Sequence, residues 1–212
     1  GTAAMPAFLA NPSQAAARPN IVVMVADDAG WADFGFHGSN IATPNLDRLG
    51  REGVHFDRAY TCCPICTPAR VTLLTGQYPS VHRAWSIGVT PAPFPSPTIA
   101  DILGAAGYAT ALLGKAHFVR RDDEASHYAG VDDPSPEFFR THSGPYLGFD
   151  YVQTSRGHTT NGTPNMHYQT FLEEKGVDYS KWYPDVYGLH DHGATGLWNI
   201  PAEYHDTTWV TD

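Results

Sequence analysis

Residues 20–26, Asn-Ile-Val-Val-Met-Val-Ala, make an apolar run that stops at Asp27-Asp28. A strand that is apolar on both faces has to be covered on both faces. The run therefore predicts a buried parallel strand, and with it an α/β fold. The acidic pair falls at the strand's C-terminal end, the edge where open α/β sheets bind their ligands. Two adjacent carboxylates repel each other there unless a cation neutralises them, so Asp27 and Asp28 are candidate metal ligands. The alternative is an Asp pair that opens a loop and caps Gly30 and its neighbours.

The rest of the chain fits the same class. Residues 43–53 predict a short helix, capped by Thr43, opened by Pro44 and ended by Gly53, with Leu46 and Leu49 facing inward. Residues 54–60 alternate apolar and polar side chains and predict a strand. Residues 68–75 predict a helix with Thr67 as N-cap, Pro68 as first residue and Gly76 as the C′ residue. Residues 77–97 read as a Pro-rich loop that leaves His82 and Arg83 in solvent. Thr98-Ile-Ala-Asp101 is a capping box that opens a helix to about Gly107. Residues 108–113 predict another apolar strand, with Lys115 and His117 at its C-terminal end. Residues 119–162 read as loop. Residues 166–175 read as a helix ended by Gly176, and residues 201–210 as a last helix. Alternating strands and helices predict a mostly parallel sheet flanked by helices.

Between the second strand and its helix lies Cys63-Pro-Ile-Cys66-Thr-Pro-Ala-Arg70. In this reading Cys66 lies just outside a helix N-terminus, where free N–H groups and the positive end of the macrodipole favour an anion. Arg70 is about one turn further on, so its guanidinium reaches the same region. Lys115 and His117 are either an ordinary polar loop start or the cationic side of a site.

Composition limits the function classes. The 212 residues are 42% hydrophobic and 12% aromatic, enough for a globular core. The net charge is −9 without a basic run, which argues against a nucleic-acid or anionic-membrane surface. No apolar run is long enough to span a bilayer. Residues 1–18 are Ala-rich and read as a flexible tail or processing remnant, leaving 19–212 as the folded part. The three Cys, crowded into 62–66, do not make a disulfide framework and leave the compartment open.

Three stretches together resemble a known family. Cys66-Thr-Pro-Ala-Arg70, followed by Val-Thr-Leu-Leu-Thr-Gly76, is similar to the first signature of the type I sulfatases, in the alkaline-phosphatase-like superfamily. Gly107-Tyr-Ala-Thr-Ala-Leu-Leu-Gly-Lys115-Ala-His117 resembles the second signature. Residues 18–28, ending in Asp27-Asp28, resemble the opening strand and its acidic metal-binding pair. The resemblance implies that Cys66 is oxidised by a formylglycine-generating enzyme to formylglycine. The hydrated aldehyde then offers one hydroxyl to attack the sulfur of a sulfate monoester and a second to expel sulfate. It further implies one divalent cation, Ca2+, held by Asp27, Asp28 and the residue formed from Cys66. Arg70 would hold the diol, Lys115 would bridge diol and sulfate, and His117 would act as general base. The substrate would be a small-molecule or carbohydrate sulfate ester, and a periplasmic or secreted location is favoured over a cytoplasmic one.

The same resemblance implies an N-terminal portion of a sulfatase catalytic domain, an apparently truncated alkaline-phosphatase-like fold. The remaining half would supply further metal ligands and a substrate-side His and Lys. Asp191-His192-Gly193 has the letters of a second metal pair but no apolar strand before it. Three other readings stay open. One is a phosphonate monoester or phosphodiester hydrolase that uses the same formylglycine. Another is a thiol–disulfide oxidoreductase built on Cys63-Pro-Ile-Cys66. The third is an inactive fragment with no turnover.

Overall fold

Thr43 and Pro44 mark a helix start, and the chain turns helical at Pro44. The structure, a computed structural model, describes residues 18–90, 94–95, 97–118, 135–156, 164–182 and 200–211. The chain divides into two compact units, Gly1–Ala59 and Tyr60–Asp212.

In the first unit, helix α1 spans Pro44–Glu52, and Gly53 ends it with its N–H on the Leu49 carbonyl (2.9 Å). Two 3-10 turns, Trp31–Asp33 and Gly35–His37, precede it. Thr43 occupies the N-cap position without capping α1. Its hydroxyl instead accepts the Gly35 N–H and donates to Asp47 Oδ1, both at 2.8 Å. Asp47 Oδ1 also accepts the Phe36 N–H at 2.9 Å, so one carboxylate ties α1 to the second turn.

The strands expected at 20–26 and 54–60 do not form. Both segments lack ladder partners among the described residues, and Val22 and Val54 are 79% and 80% exposed. A parallel strand is held by neighbours on both sides, and residues 18–59 bring no strand to pair with. Leu46 and Leu49 are likewise exposed rather than inward-facing.

The second unit carries the α/β architecture. Helix α2 spans Cys66–Thr75 and ends at Gly76 in the left-handed region (φ 66°), as expected. It begins two residues early, with extended Ile65 as its N-cap. Pro79–His82 is a single helical turn, α3, and Ile99–Ala105 is α4. The Thr98/Asp101 capping box is present: Asp101 N–H donates to Thr98 Oγ1 (3.2 Å) and Thr98 N–H donates to Asp101 Oδ2 (2.7 Å).

Strand β1, Ala111–Lys115, therefore includes Lys115 as its last residue. It pairs in parallel with β2, Tyr151–Ser155, in the register Ala111↔Tyr151 to Lys115↔Ser155. β2 lies inside the stretch expected to be loop. Its Tyr, Val and Thr are strand formers, but surrounding Gly, Pro and charge masked a run of only five residues. Between the strands, Pro136–Thr141 forms α5; Met166–Glu174 forms α6 after β2. The expected last helix is split into a 3-10 turn, Ala202–Tyr204, and α7, Asp206–Thr211. The break is at extended His205, next to Tyr204, whose carbonyl accepts the Tyr168 hydroxyl at 2.7 Å.

The core of this unit gathers Val71 and Leu74 of α2, Ala100 of α4, Phe139 of α5, Val152 of β2 and Met166 of α6, with Tyr146 and Phe118 between them. Tyr168, Leu172 and Val177 form a second cluster against Trp182, Tyr204 and Trp209. The result is a two-stranded parallel sheet that presents its C-terminal edge, Lys115 and Ser155, beside the first turn of α2.

Candidate active site

Because Cys66 starts α2, it stands inside the helix N-terminus rather than just outside it. Its own N–H and that of Thr67 are among the helix's unpaired first-turn donors. Thr67 is not the cap. Its buried hydroxyl donates to the His117 carbonyl and accepts the Gly88 N–H, both at 2.9 Å. That one side chain fastens the start of α2 to the segment following β1.

Two further contacts complete the junction. Lys115 Nζ lies 3.4 Å from Cys66 Sγ, within hydrogen-bonding distance for sulfur. Arg70 Nη1 donates to the Lys115 carbonyl at 2.6 Å. Cys66, Arg70, Lys115 and His117 are all half-buried. The backbone geometry is specialised at two of these positions: His117 has φ 51°, and Gly114, just before Lys115, has φ 89°. A Cβ at Gly114 would meet Val210 Cγ2 at 3.0 Å, so glycine there serves both the positive φ within β1 and the packing of α7. The second unit thus brings the Cys66, Arg70 and Lys115 side chains and the His117 backbone to one junction. An ammonium and a helix N-terminus converge on one nucleophile-sized side chain, which suits an anion bound or formed at that point.

Cys62, Cys63 and Cys66 are free thiols. In the first unit, Asp27 and Asp28 follow the exposed 18–26 segment as a bend, Asp28 in the left-handed region (φ 52°), and both are exposed. Asp191, His192 and Gly193 lie outside the described residues.

Sequence reasoning missed His82. It is buried rather than solvated: Nδ1 accepts the Ala84 N–H at 3.0 Å and Nε2 meets the Thr72 hydroxyl at 2.9 Å, steadying α2 from its outer side. Burial pushes its pKa down. The spacing of Pro79 and His82, one helical turn, was the available signal. His167 on α6 is a second buried imidazole. Its Nδ1 accepts the Thr154 N–H (3.1 Å) and its Nε2 faces the His142 carbonyl (2.7 Å). Burial also lowers its pKa.

The fold is of the alkaline-phosphatase-like class. A phosphonate monoester hydrolase from Silicibacter pomeroyi superposes over 85% of this chain and 34% of its own, with a TM-score of 0.51 and 26% identity. The Sulfatase family model matches residues 19–210, and the chain belongs to that family. It is 34% identical over 182 residues to an N-acetylgalactosamine-6-O-sulfatase of Bacteroides thetaiotaomicron, covering 76% of this chain and 34% of the relative. It is 39% identical over 127 residues to human arylsulfatase H, covering 52% and 23%. The chain thus spans only 23–34% of the length of these relatives. No helix among the described residues is long and apolar enough to cross a membrane.

Proposed function

We propose that this chain forms part of an enzyme that hydrolyses a sulfate monoester to an alcohol and inorganic sulfate, with Cys66, converted to formylglycine, as nucleophile. The observation that carries the reading is the Lys115 ammonium 3.4 Å from Cys66 Sγ at the N-terminus of α2, in a chain of the sulfatase family. Once oxidised and hydrated, the Cys66 side chain supplies two geminal hydroxyls, one for attack on sulfur and one for release of sulfate.

The chain's own residues divide the remaining work. Lys115 holds a sulfate oxygen and keeps the nucleophile's charge balanced. Arg70, anchored on the Lys115 carbonyl, fixes the relative placement of helix and strand end. His117, whose carbonyl is held by Thr67, takes a proton from the second hydroxyl. The first-turn N–H groups of α2 stabilise developing negative charge.

The donor set also fits a calcium ion. Asp27 and Asp28 offer hard carboxylate oxygens, the ligands Ca2+ takes. A thiol at position 66 does not suit calcium, but the oxygen-bearing side chain made from it does. When bound, the ion supplies Lewis acidity to the nucleophile and the sulfate. The maturation partner is a formylglycine-generating enzyme, the substrate a small-molecule or carbohydrate sulfate ester, and the location periplasmic or secreted.

A phosphonate monoester hydrolase is the second reading, favoured by the structural likeness to the Silicibacter enzyme. Two measurements test the pair. Co-expression with a formylglycine-generating enzyme should lower the mass of tryptic peptide 59–70 by about 18 Da at Cys66. An unmodified Cys66 overturns the mechanism. Turnover of an aryl sulfate should exceed that of an aryl phosphonate, and the reverse order selects the second reading.

A further inference from the structure

Beside the start of α2, three hydrogen bonds fasten one tight turn to the elements that carry the site. Ser86 and Val89 face each other across the turn Ser86-Ile87-Gly88-Val89, which the Val89 N–H closes on the Ser86 carbonyl (3.0 Å) with Gly88 at φ 67°. The Gly88 N–H and the His117 carbonyl both bond the Thr67 hydroxyl, each at 2.9 Å, and Thr67 adjoins Cys66. Just after the turn, Thr90 donates its hydroxyl to the Phe118 carbonyl. Just before it, the Ala84 N–H donates to Nδ1 of buried His82, whose Nε2 meets Thr72 of α2. The turn is held at both ends and near its tip, one hydrogen bond from the residue next to Cys66.

This fixed turn carries apolar side chains in solvent. Ala84 at its root is fully buried, yet Trp85 and Ile87 are each 58% exposed and Val89 is 44% exposed. Gly88 answers the positive φ that the turn needs. Ile87 beside it is foreign to turn chemistry, which favours Asn, Asp, Pro or Ser. Three large apolar side chains held in water carry a hydrophobic penalty that a covering ligand relieves. Small-molecule sites have this make-up, an apolar wall next to a few placed polar groups. Here the polar groups are Lys115 and the first-turn N–H groups of α2.

We propose, resting on the sulfate-ester reading of Cys66, that residues 85–89 form the wall that receives the alcohol of the ester, and that this alcohol is a ring, either an arene or a sugar presenting its C–H face. Trp85 supplies a flat face that stacks on either, and Ile87 and Val89 extend the apolar cover. The sulfate group needs cations and N–H donors, which β1 and α2 provide; the alcohol needs apolar cover, which the turn provides. The frame is set before the ligand arrives, so little ordering cost opposes binding. Such a wall binds ground state and transition state alike, and therefore sets KM rather than kcat.

The test compares ligands with and without a ring, on the full chain after co-expression with a formylglycine-generating enzyme. Trp85→Ala and Ile87→Ala should each raise KM for nitrophenyl sulfate by about ten-fold and leave kcat within about two-fold. Inhibition by inorganic sulfate, which has no alcohol, should stay unchanged. A sulfated monosaccharide run in parallel identifies the ring, since the ester with the larger loss is the kind the wall receives. A second readout needs no turnover. The chain has five Trp, so indole N–H signals in nuclear magnetic resonance, with Trp85 assigned through Trp85→Phe, report which ring is touched. The Trp85 signal should shift with nitrophenyl sulfate and stay in place with inorganic sulfate. Equal losses for nitrophenyl sulfate and inorganic sulfate in the variants would mean that the turn only props up the site, and would overturn the proposal. A Trp85 signal that ignores both ring esters would overturn it too. Failure of the sulfate-ester reading looks different: peptide 59–70 keeps its mass and no ester turns over, whether or not the Trp85 signal responds.

Discussion

Valine does opposite things in the two units. Val22, Val23 and Val25 in the first are more than half exposed, whereas Val71 and Val152 in the second are fully buried. The side chain and its β propensity are the same; the difference is in partners. β1 and β2 supply each other's hydrogen bonds, and α2, α5 and α6 cover them. Residues 18–26 meet no such strand among the described residues of their own unit, and the apolar run stays open to solvent. The first unit is organised instead by polar and aromatic contacts, the Asp47 carboxylate and the rings around His37. Burial follows from having a sheet to join, and hydropathy alone does not provide it.

The sharpest way to break this comparison is chemical. If the second unit holds the nucleophile and its electrostatic support, Cys66→Ala should abolish turnover of an aryl sulfate. Lys115→Ala should lower kcat by about 10²–10³-fold, the effect of removing one donor from a developing anion. A Lys115→Ala enzyme with unchanged kcat would sink the proposed role.

Stability comes next. Leu172→Ala, in a fully buried position, should cost about 2–5 kcal/mol. Val22→Ala, in an exposed one, should change stability by no more than about 0.5 kcal/mol. Hydrogen exchange would read the two units separately, and a large loss from Val22→Ala would show that the first unit has a core of its own.

The two helix-opening threonines sharpen the contrast at smaller scale. Thr98 caps α4 through a full capping box, so Thr98→Ala should cost about 1 kcal/mol. Thr43 stands at an N-cap but spends its hydroxyl on Asp47 and Gly35, in a half-buried network, and makes no cap bond to its own helix. Thr43→Ala is expected to cost less, and equal losses would mean that position alone sets the value of a cap.

The smallest effect is a pH dependence confined to the second unit. Burial disfavours the charged form of His167, whose Nδ1 accepts the Thr154 N–H. Its folded pKa is lowered from 6.5. The stabilisation is therefore present above pH 6.5 and fades as pH falls through the lowered value. Unfolding midpoints measured on descending pH should fall less steeply in His167→Gln than in the wild type. Parallel curves would remove His167 as the cause.

Local chemistry was legible from residues near one another in the chain. Pro44 and Gly53 bracket α1, Thr98 and Asp101 open α4, and Gly76 and Gly176 follow α2 and α6. Each of these signals acts over a turn or two, so neighbours suffice to express it. The places of Cys66 and Arg70 near a helix start and of Lys115 at a strand end were legible too, since each element announces itself locally. Pairing and burial were decided by tertiary structure: that 151–155 joins 111–115, that 20–26 and 54–60 have no ladder partner among the described residues, and that His82 is buried. It also decided that Thr67 binds a carbonyl fifty residues away instead of capping its own helix. These outcomes depend on which distant groups arrive alongside, and a ladder partner or a covering helix leaves no trace in the segment that needs it.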